Sequence, residues 1–387
     1  MKILFICSVA DWHMRHWLKY WSKQHQVYIF SDNVINSRVE DFQDLVGIEI
    51  ATGLFDGILN TFQIKSKFLI KINKFVSSYR YAKKIALLSK ELNIDFVHAH
   101  SLFYGLITFF VNKKIPVIFT PMGSDVILHA QKNLIYRLMA LAAFKRADIV
   151  TGDSFLLRDK GLKVGAKLKH NYIIQNGVDA EIFYPRPNNL RHKYLIKDDE
   201  SLIFSPRSIA AIYNIDIIIQ AIAVLSKRNI RVRCMFTYAF GDEYYLGLKR
   251  LAEMLGIQDQ LIWLGFVNEY EMAELYNASN LVVSVPSSDS SPKSVYEAIF
   301  CNKPVIVSNL QWSYEYFDPK ENYPLRVTPR DPHALADAIQ FYIHNPTVSN
   351  EHAKNAKNKA KDIFDYTQNM SRLERILIDY KSDYFLH

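Results

Sequence analysis

Short, almost wholly apolar runs alternate with helix-length segments along the entire chain, and this alternation constrains the fold more than any other feature. The runs KILFICS, QVYIFSD, DFVHAHS, PVIFTP and ADIVTGDS come first, and YIIQNGVD closes that series. A second series holds SLIFSPR, RVRCMFTY, LIWLGF, LVVSVPS and PVIVSN, again with helical stretches between them. A strand that is apolar at every position is buried on both faces. Such strands separated by helices imply an α/β architecture of parallel sheets covered on each side. The two series are similar in length, and 387 residues exceed what one core holds, so two Rossmann-like domains in tandem are expected. The turn chemistry of NGVD, residues 176–179, marks the join.

Composition excludes several classes. With 49% hydrophobic and 22% charged residues, the chain reads as a soluble globular protein and not a disordered one. No run reaches the ~18 uninterrupted apolar residues of a membrane span. The opening MKILFICSVADWHMRHW has only a short apolar part, which runs into Asp11 and several aromatics, so it reads as a first buried strand and not as a leader. Cys7, Cys234 and Cys301 lie far apart without metal-ligand spacing, as buried thiols of a reducing compartment would. A cytoplasmic location is expected. The net charge of +8 is unevenly placed: residues 61–90 hold eight lysines or arginines, the first Lys65 and the last Lys90, and no acid. This segment reads either as a helix pair with a solvated basic face or as a surface that leans on anionic lipid. No nucleic-acid module accompanies the charge, and no nucleic acid is expected as a partner.

Tandem Rossmann-like domains take ligands at the carboxyl ends of their strands, so chemistry is sought just after each run. No GxGxxG follows a strand and no GxxxxGK[ST] occurs, which argues against nicotinamide dehydrogenases and P-loop NTPases. The richest strand end is VPSSDSSPKSVYEA. Ser291 reads as a helix N-cap, with Pro292 in the first turn. The free amides from Lys293 to Val295, with that of Ser294 between them, then form a natural phosphate site. Glu297, one turn further in, suits two hydrogen bonds from vicinal hydroxyls such as those of a ribose, and Asp289 in the loop reaches a second polyol. The plainer alternative is that both acids only favour the helix dipole and its cap. Arg207 directly follows a strand, and its fork suits a diphosphate. In the first half, HAHS and TPMGSD end adjacent strands. His98 and His100 are expected to face opposite ways, one packed and His100, nearer the strand end, open to ligand. Asp125 is expected as a hydrogen-bond acceptor or a cap.

Taken in order, DFVHAHS, TPMGSDVI, QNGVDAEIFYP, Arg207, LIWLGFV and EMAELYNASNLVVSVPSSDSSPKSVYEAIFCNKPVIVSN resemble the retaining glycosyltransferases of family 4. The most specific block is Asp289, seven residues, then Glu297 and Ala298 ahead of NKPVIVS. The segment FDYTQNMSRLERILIDY resembles the family's last helix. The resemblance implies a GT-B fold, with two Rossmann-like domains whose sheets face a central cleft. It implies an acceptor-binding domain at 1–176, a nucleotide-sugar-binding domain at 177–365, and a helix at 366–387 that crosses back to the first domain. The implied reaction is metal-independent, retaining transfer of a sugar from a nucleotide-sugar donor, a substrate and not a cofactor. The acceptor is a glycan or lipid-linked saccharide in cell-surface polysaccharide biosynthesis, at or near the inner face of the membrane. Glu297 would hold the ribose, the amides near Ser294 and Val295 the diphosphate, and Asp289 the donor sugar in place of the usual glutamate. Arg207 would neutralise the leaving phosphate, and His100 would touch the donor sugar or the reacting face. Ser291, Asp125 and Tyr213 fall within the same implied donor site.

Three departures from the family stand out. Tyr213 and Asn214 occupy the place of a second phosphate-clamping lysine. SVADWHMRH replaces the N-terminal glycine-rich turn, and Met122 the histidine before GSD. With arginine and helix dipoles stabilising the departing diphosphate, that group takes the acceptor proton on the same face, which retains configuration without a protein nucleophile. Domain closure would limit hydrolysis of the donor. Two alternatives share the fold: a sugar-nucleotide epimerase, and a binding subunit that lost turnover with its lysine.

Overall fold

The computed structural model describes residues 1–8, 12–31, 48–51, 67–239, 241–321 and 323–385. These belong to two compact units, Met1–Asn176 with Met370–His387, and Gly177–Asn369. The first unit contains β1 (Lys2–Ile6), β2 (Gln26–Phe30), β3 (Ile48–Ala51), β4 (Phe96–His100), β5 (Val117–Thr120), β6 (Ile149–Gly152) and β7 (Asn171–Ile173). Their order in the sheet is β3-β2-β1-β4-β5-β6-β7. The second unit contains β8 (Ser201–Ser205), β9 (Val232–Phe236), β10 (Leu261–Trp263), β11 (Leu281–Ser284), β12 (Val305–Ser308) and β13 (Leu325–Val327), in the order β10-β9-β8-β11-β12-β13. All these pairings are parallel. In both sheets the winding reverses beside the first strand, between β1 and β4 and between β8 and β11. Those two gaps are where an open α/β sheet takes ligands.

The all-apolar strands follow from burial on two faces. In the second unit Leu202, Phe204, Val282, Val305 and Val307 point into one core, while Ile203, Val283 and Ile306 point into another. Each core is closed by its own helices, through Tyr276, Val295 and Phe364 on one side and Ile215, Ile218 and Leu335 on the other. The same period of two overturns the expectation for His98 and His100. Positions i and i+2 of a strand share a face, and the two rings lie 4.3 Å apart. Their neighbours Val97 and Ala99 face the opposite side, into the core of the first unit.

The strands absent from the reading of the sequence are β3 and β13. Each has three or four residues interrupted by a charge, Glu49 or Arg326. The described part of the basic segment forms one helix, Lys67–Glu91, and not a pair, since no glycine or proline breaks it. Tyr81, Ala82 and Ile85 turn its last turns into the core. Lys65 and the side chains of Lys67, Lys71 and Lys74 lie outside the described residues, as do residues 9–11 of SVADWHMRH.

The last helix is Tyr366–Phe385. Its start is tied within the second unit, where Val178 donates to the Phe364 carbonyl at 2.7 Å and Tyr366 donates to that of Val178 at 3.1 Å. Gly177 has φ +74°, and a Cβ there would stand 2.4 Å from Tyr366 Cα, so this approach requires glycine. From Met370 on, the helix belongs to the first unit. There Glu374 accepts from the Tyr20 hydroxyl at 2.8 Å and meets His25 at 2.7 Å, and Lys381 pairs with Asp95 at 2.7 Å.

Candidate functional site

Four of the singled-out side chains converge where the second sheet reverses. Arg207 follows β8 by two residues. Its guanidinium lies 3.0 Å from Asp289 Oδ2, donates to Ser294 Oγ at 3.3 Å, and stacks 4.2 Å from the centre of the Tyr213 ring. The Arg207 and Asp289 side chains are each 14% exposed. Burial works against the Arg207 charge, and the Asp289 carboxylate, with Tyr213 and Tyr276, together more than offset it. Asp289 Oδ1 also accepts from the Ser290 amide at 2.9 Å.

The helix after β11 is Lys293–Phe300, and its start differs from expectation. Pro292, with φ −71° and ψ 101°, precedes the first helical residue, so Ser291 is not the N-cap. The Ser291 hydroxyl lies instead 3.3 Å from that of Tyr296. The Pro292 carbonyl accepts from Val295 at 2.9 Å, so the Val295 amide is already used. The amides of Lys293 and Ser294 have no acceptor among the described residues. The unpaired amides therefore lie one residue nearer the loop than the spacing suggests.

Glu297 is 8% exposed, and both its oxygens have partners. Oε2 lies 3.0 Å from the Tyr276 hydroxyl, which is also 2.8 Å from the Ser294 carbonyl. Oε1 lies 3.7 Å from Lys293 Nζ. Burial raises the Glu297 pKa, and the neighbouring ammonium pulls it back. Burial, then the Glu297 charge, holds the Tyr276 hydroxyl well above its ordinary range. Reasoning from sequence placed only the Lys293 amide in this site and missed its ammonium. Its spacing four residues ahead of Glu297 was the available signal.

Asn214, beside Tyr213 in the family's lysine position, is fully buried in a left-handed conformation. It donates to the Val285 carbonyl at 2.8 Å and to Ser287 at 3.0 Å, and accepts from Arg330 at 2.9 Å. It therefore braces the loop after β11, while Tyr213 covers the arginine.

In the first unit, His98 and His100 are 1% and 3% exposed and pack with Phe5 and Trp17. Neither ring is the open one of a pair. His98 Nε2 lies 2.8 Å from Thr120 Oγ1, and burial holds its pKa well below the usual value. Asp125 Oδ2 accepts from the Leu102 amide at 2.8 Å, which fixes the turn after β4 where Ser101 has φ 72°. Asp125 Oδ1 is buried without a hydrogen bond, and burial pushes this carboxyl up to about 6.

Comparison with known proteins decides the family. The profile of Glycosyl transferases group 1 matches residues 187–362, and that of Glycosyltransferase Family 4 matches residues 10–182. The chain belongs to the family 4 glycosyltransferases. The chain is 27% identical over 301 residues to the alpha-monoglucosyldiacylglycerol synthase of Streptococcus pneumoniae, covering 73% of this chain and 63% of that one. It is 23% identical over 198 residues to an uncharacterized glycosyltransferase of Methanocaldococcus jannaschii, covering 50% and 49%. The match thus spans less than two thirds of either curated relative. Among solved structures, Anabaena HepE in complex with UDP-glucose superposes with a TM-score of 0.77 at 17% identity, over 98% of this glycosyltransferase and all of that chain. WaaG, a glycosyltransferase involved in lipopolysaccharide biosynthesis, gives 0.69 at 16% identity over 97% and 99%. The fold is GT-B. No helix among the described residues is long and apolar enough to cross a membrane.

Proposed function

We propose that this glycosyltransferase moves a sugar from a uridine diphosphate sugar, with retention, to a lipid-linked or glycan acceptor at an anionic membrane surface. The observation that carries the donor site is the convergence of Arg207, Asp289, Ser294 and the two free amides of Lys293 and Ser294 where the second sheet reverses. Glu297, held by Tyr276 and Lys293, accepts from the ribose hydroxyls. The diphosphate takes the free amides and draws Arg207 off Asp289. The Asp289 carboxylate is then released for a hydroxyl of the donor sugar. Arg207 and the amides stabilise the charge that develops on the departing diphosphate. That oxygen accepts the proton of the attacking hydroxyl as the new glycosidic bond forms on the same face. HepE with UDP-glucose supports the donor class, and the diacylglycerol product in the name of the Streptococcus enzyme supports a lipid acceptor.

The missing lysine favours a binding subunit without turnover. Against this, the buried Lys293 ammonium provides a cation one turn from Glu297. Thermal unfolding with UDP, UDP-glucose and other nucleotide sugars tests the reading. Stabilisation by UDP and UDP-glucose in the wild type, and its loss in Glu297→Ala, is expected. Equal stabilisation of both proteins refutes the assignment of Glu297.

A further inference from the structure

The helix Leu134–Arg146 carries an apolar surface that the fold leaves uncovered. Leu134, Ile135, Tyr136, Leu138 and Leu141 are 71%, 43%, 38%, 56% and 46% exposed. Of the twenty exposed large hydrophobic side chains among the described residues, five therefore fall within eight consecutive positions. Single exposed leucines are ordinary, but a contiguous patch is not. Leu134, Leu138, Leu141 and the exposed Lys145 follow one another along one stripe of the helix. The opposite stripe, Ala140, Ala143 and Phe144, is buried in the core of the first unit. The loop before β7 extends the patch. A Cβ at Gly165 would stand 2.5 Å from Leu141 Cδ1, so this loop lies against the helix. It adds Leu168, 66% exposed.

Charge identifies the occupant. No acid occurs between Asp125 and Asp148. Lys132, Arg137 and Lys145 are exposed on or beside the helix, and Lys163, Lys167 and Lys169 on the adjoining loop. No carboxylate among the described residues pairs with any of these six. Asp148 is paired with the buried Arg146 at 3.0 Å, and Asp159 with Arg158 at 3.3 Å. An apolar stripe rimmed by free cations matches an anionic bilayer: leucines enter the acyl boundary, and lysines meet lipid phosphate. A second copy of the chain would bring the same positive rim against this one, and like charges repel.

We infer that the Leu134–Arg146 face with the loop at Leu168 is the surface through which the first unit docks on anionic lipid. This rests on the membrane reading above and replaces the basic helix Lys67–Glu91 as the docking element. The test is flotation of the purified full chain, at low salt, with vesicles of equal parts phosphatidylglycerol and phosphatidylcholine. The wild type floats with these and not with pure phosphatidylcholine. The Leu134→Glu/Leu138→Glu variant loses about tenfold of the bound fraction, while UDP stabilises it against heat as it does the wild type. Lys83→Ser/Lys84→Ser floats like the wild type. Undiminished flotation of the leucine variant overturns the inference, as does loss confined to the lysine variant. So does a wild-type dimer that the leucine variant disperses and that never binds vesicles. A wild type that does not float overturns the membrane reading as well, but leaves UDP stabilisation, and with it the donor site, standing.

Discussion

The two units repeat one topology and fill its reversal point with opposite chemistry. Between β1 and β4 the site is closed by Phe5, Trp17, His98 and His100, rings packed together and almost fully buried, with Trp17 edge to face with both histidines. Between β8 and β11 it is lined by Arg207, Asp289, Ser294, Lys293 and Glu297, a charged cluster with two spare amides. Strand order provides a location in both; only the side chains make one of them the proposed anion site. The comparison also shows how a charge is kept under cover. In the second unit each buried acid has a buried cation, Asp289 with Arg207 and Glu297 with Lys293. In the first, Asp125 has only backbone amides, and its carboxyl rises to about 6.

The largest effect should come from breaking the charged pair. Arg207→Ala removes the group assigned to the leaving phosphate and leaves Asp289 buried alone. A loss of roughly 10²–10³ in kcat is expected, with about 3 kcal/mol of stability lost as well. Arg207→Ala/Asp289→Ala should recover the stability and not the rate. A rate near wild type in the single variant would remove Arg207 from the site. Glu297→Gln comes next. It keeps the shape and weakens UDP binding about tenfold, as expected for a lost charge-assisted hydrogen bond, read by calorimetry.

Lys293→Met should weaken UDP binding by a few-fold to about tenfold. Undiminished affinity would show that the family's missing lysine has no replacement here. The smallest effect sharpens the contrast with the first unit. The Asp125 carboxyl rises from 3.8 to about 6 on folding. The folded state therefore binds more protons than the unfolded one between those values, and this group's contribution to stability is lost as pH rises through 6. Asp125→Asn still accepts the Leu102 amide, so the stability difference, variant minus wild type, should grow by about 1–3 kcal/mol between pH 4 and pH 7. Parallel stability curves over that range would contradict the burial argument.

Much of this was legible before the fold was known. The alternation of apolar runs already implied parallel sheets, because a strand needs apolar residues on both faces only when both faces are covered. The spacing from Asp289 to Glu297 marked the proposed donor site, since a loop and one helical turn fill that interval. The short strands β3 and β13 were not legible, since a charged residue in three or four positions erases their pattern. The reading of His98 and His100 failed on a periodicity that the sequence does contain.

The chain by itself determined the two sheets, the block that marks the family, and the residues proposed for phosphate, ribose and sugar. Tertiary structure alone decided how those groups are paired. Arg207 and Asp289 are 82 residues apart in the sequence, and only the neighbouring strands β8 and β11 bring them to 3.0 Å. It decided that Pro292 and not Ser291 precedes the helix, because that depends on a backbone angle and not on the identity of a capping side chain. It decided, too, that Lys293 is buried against Glu297, since whether a lysine meets water or a carboxylate is set by what packs around it.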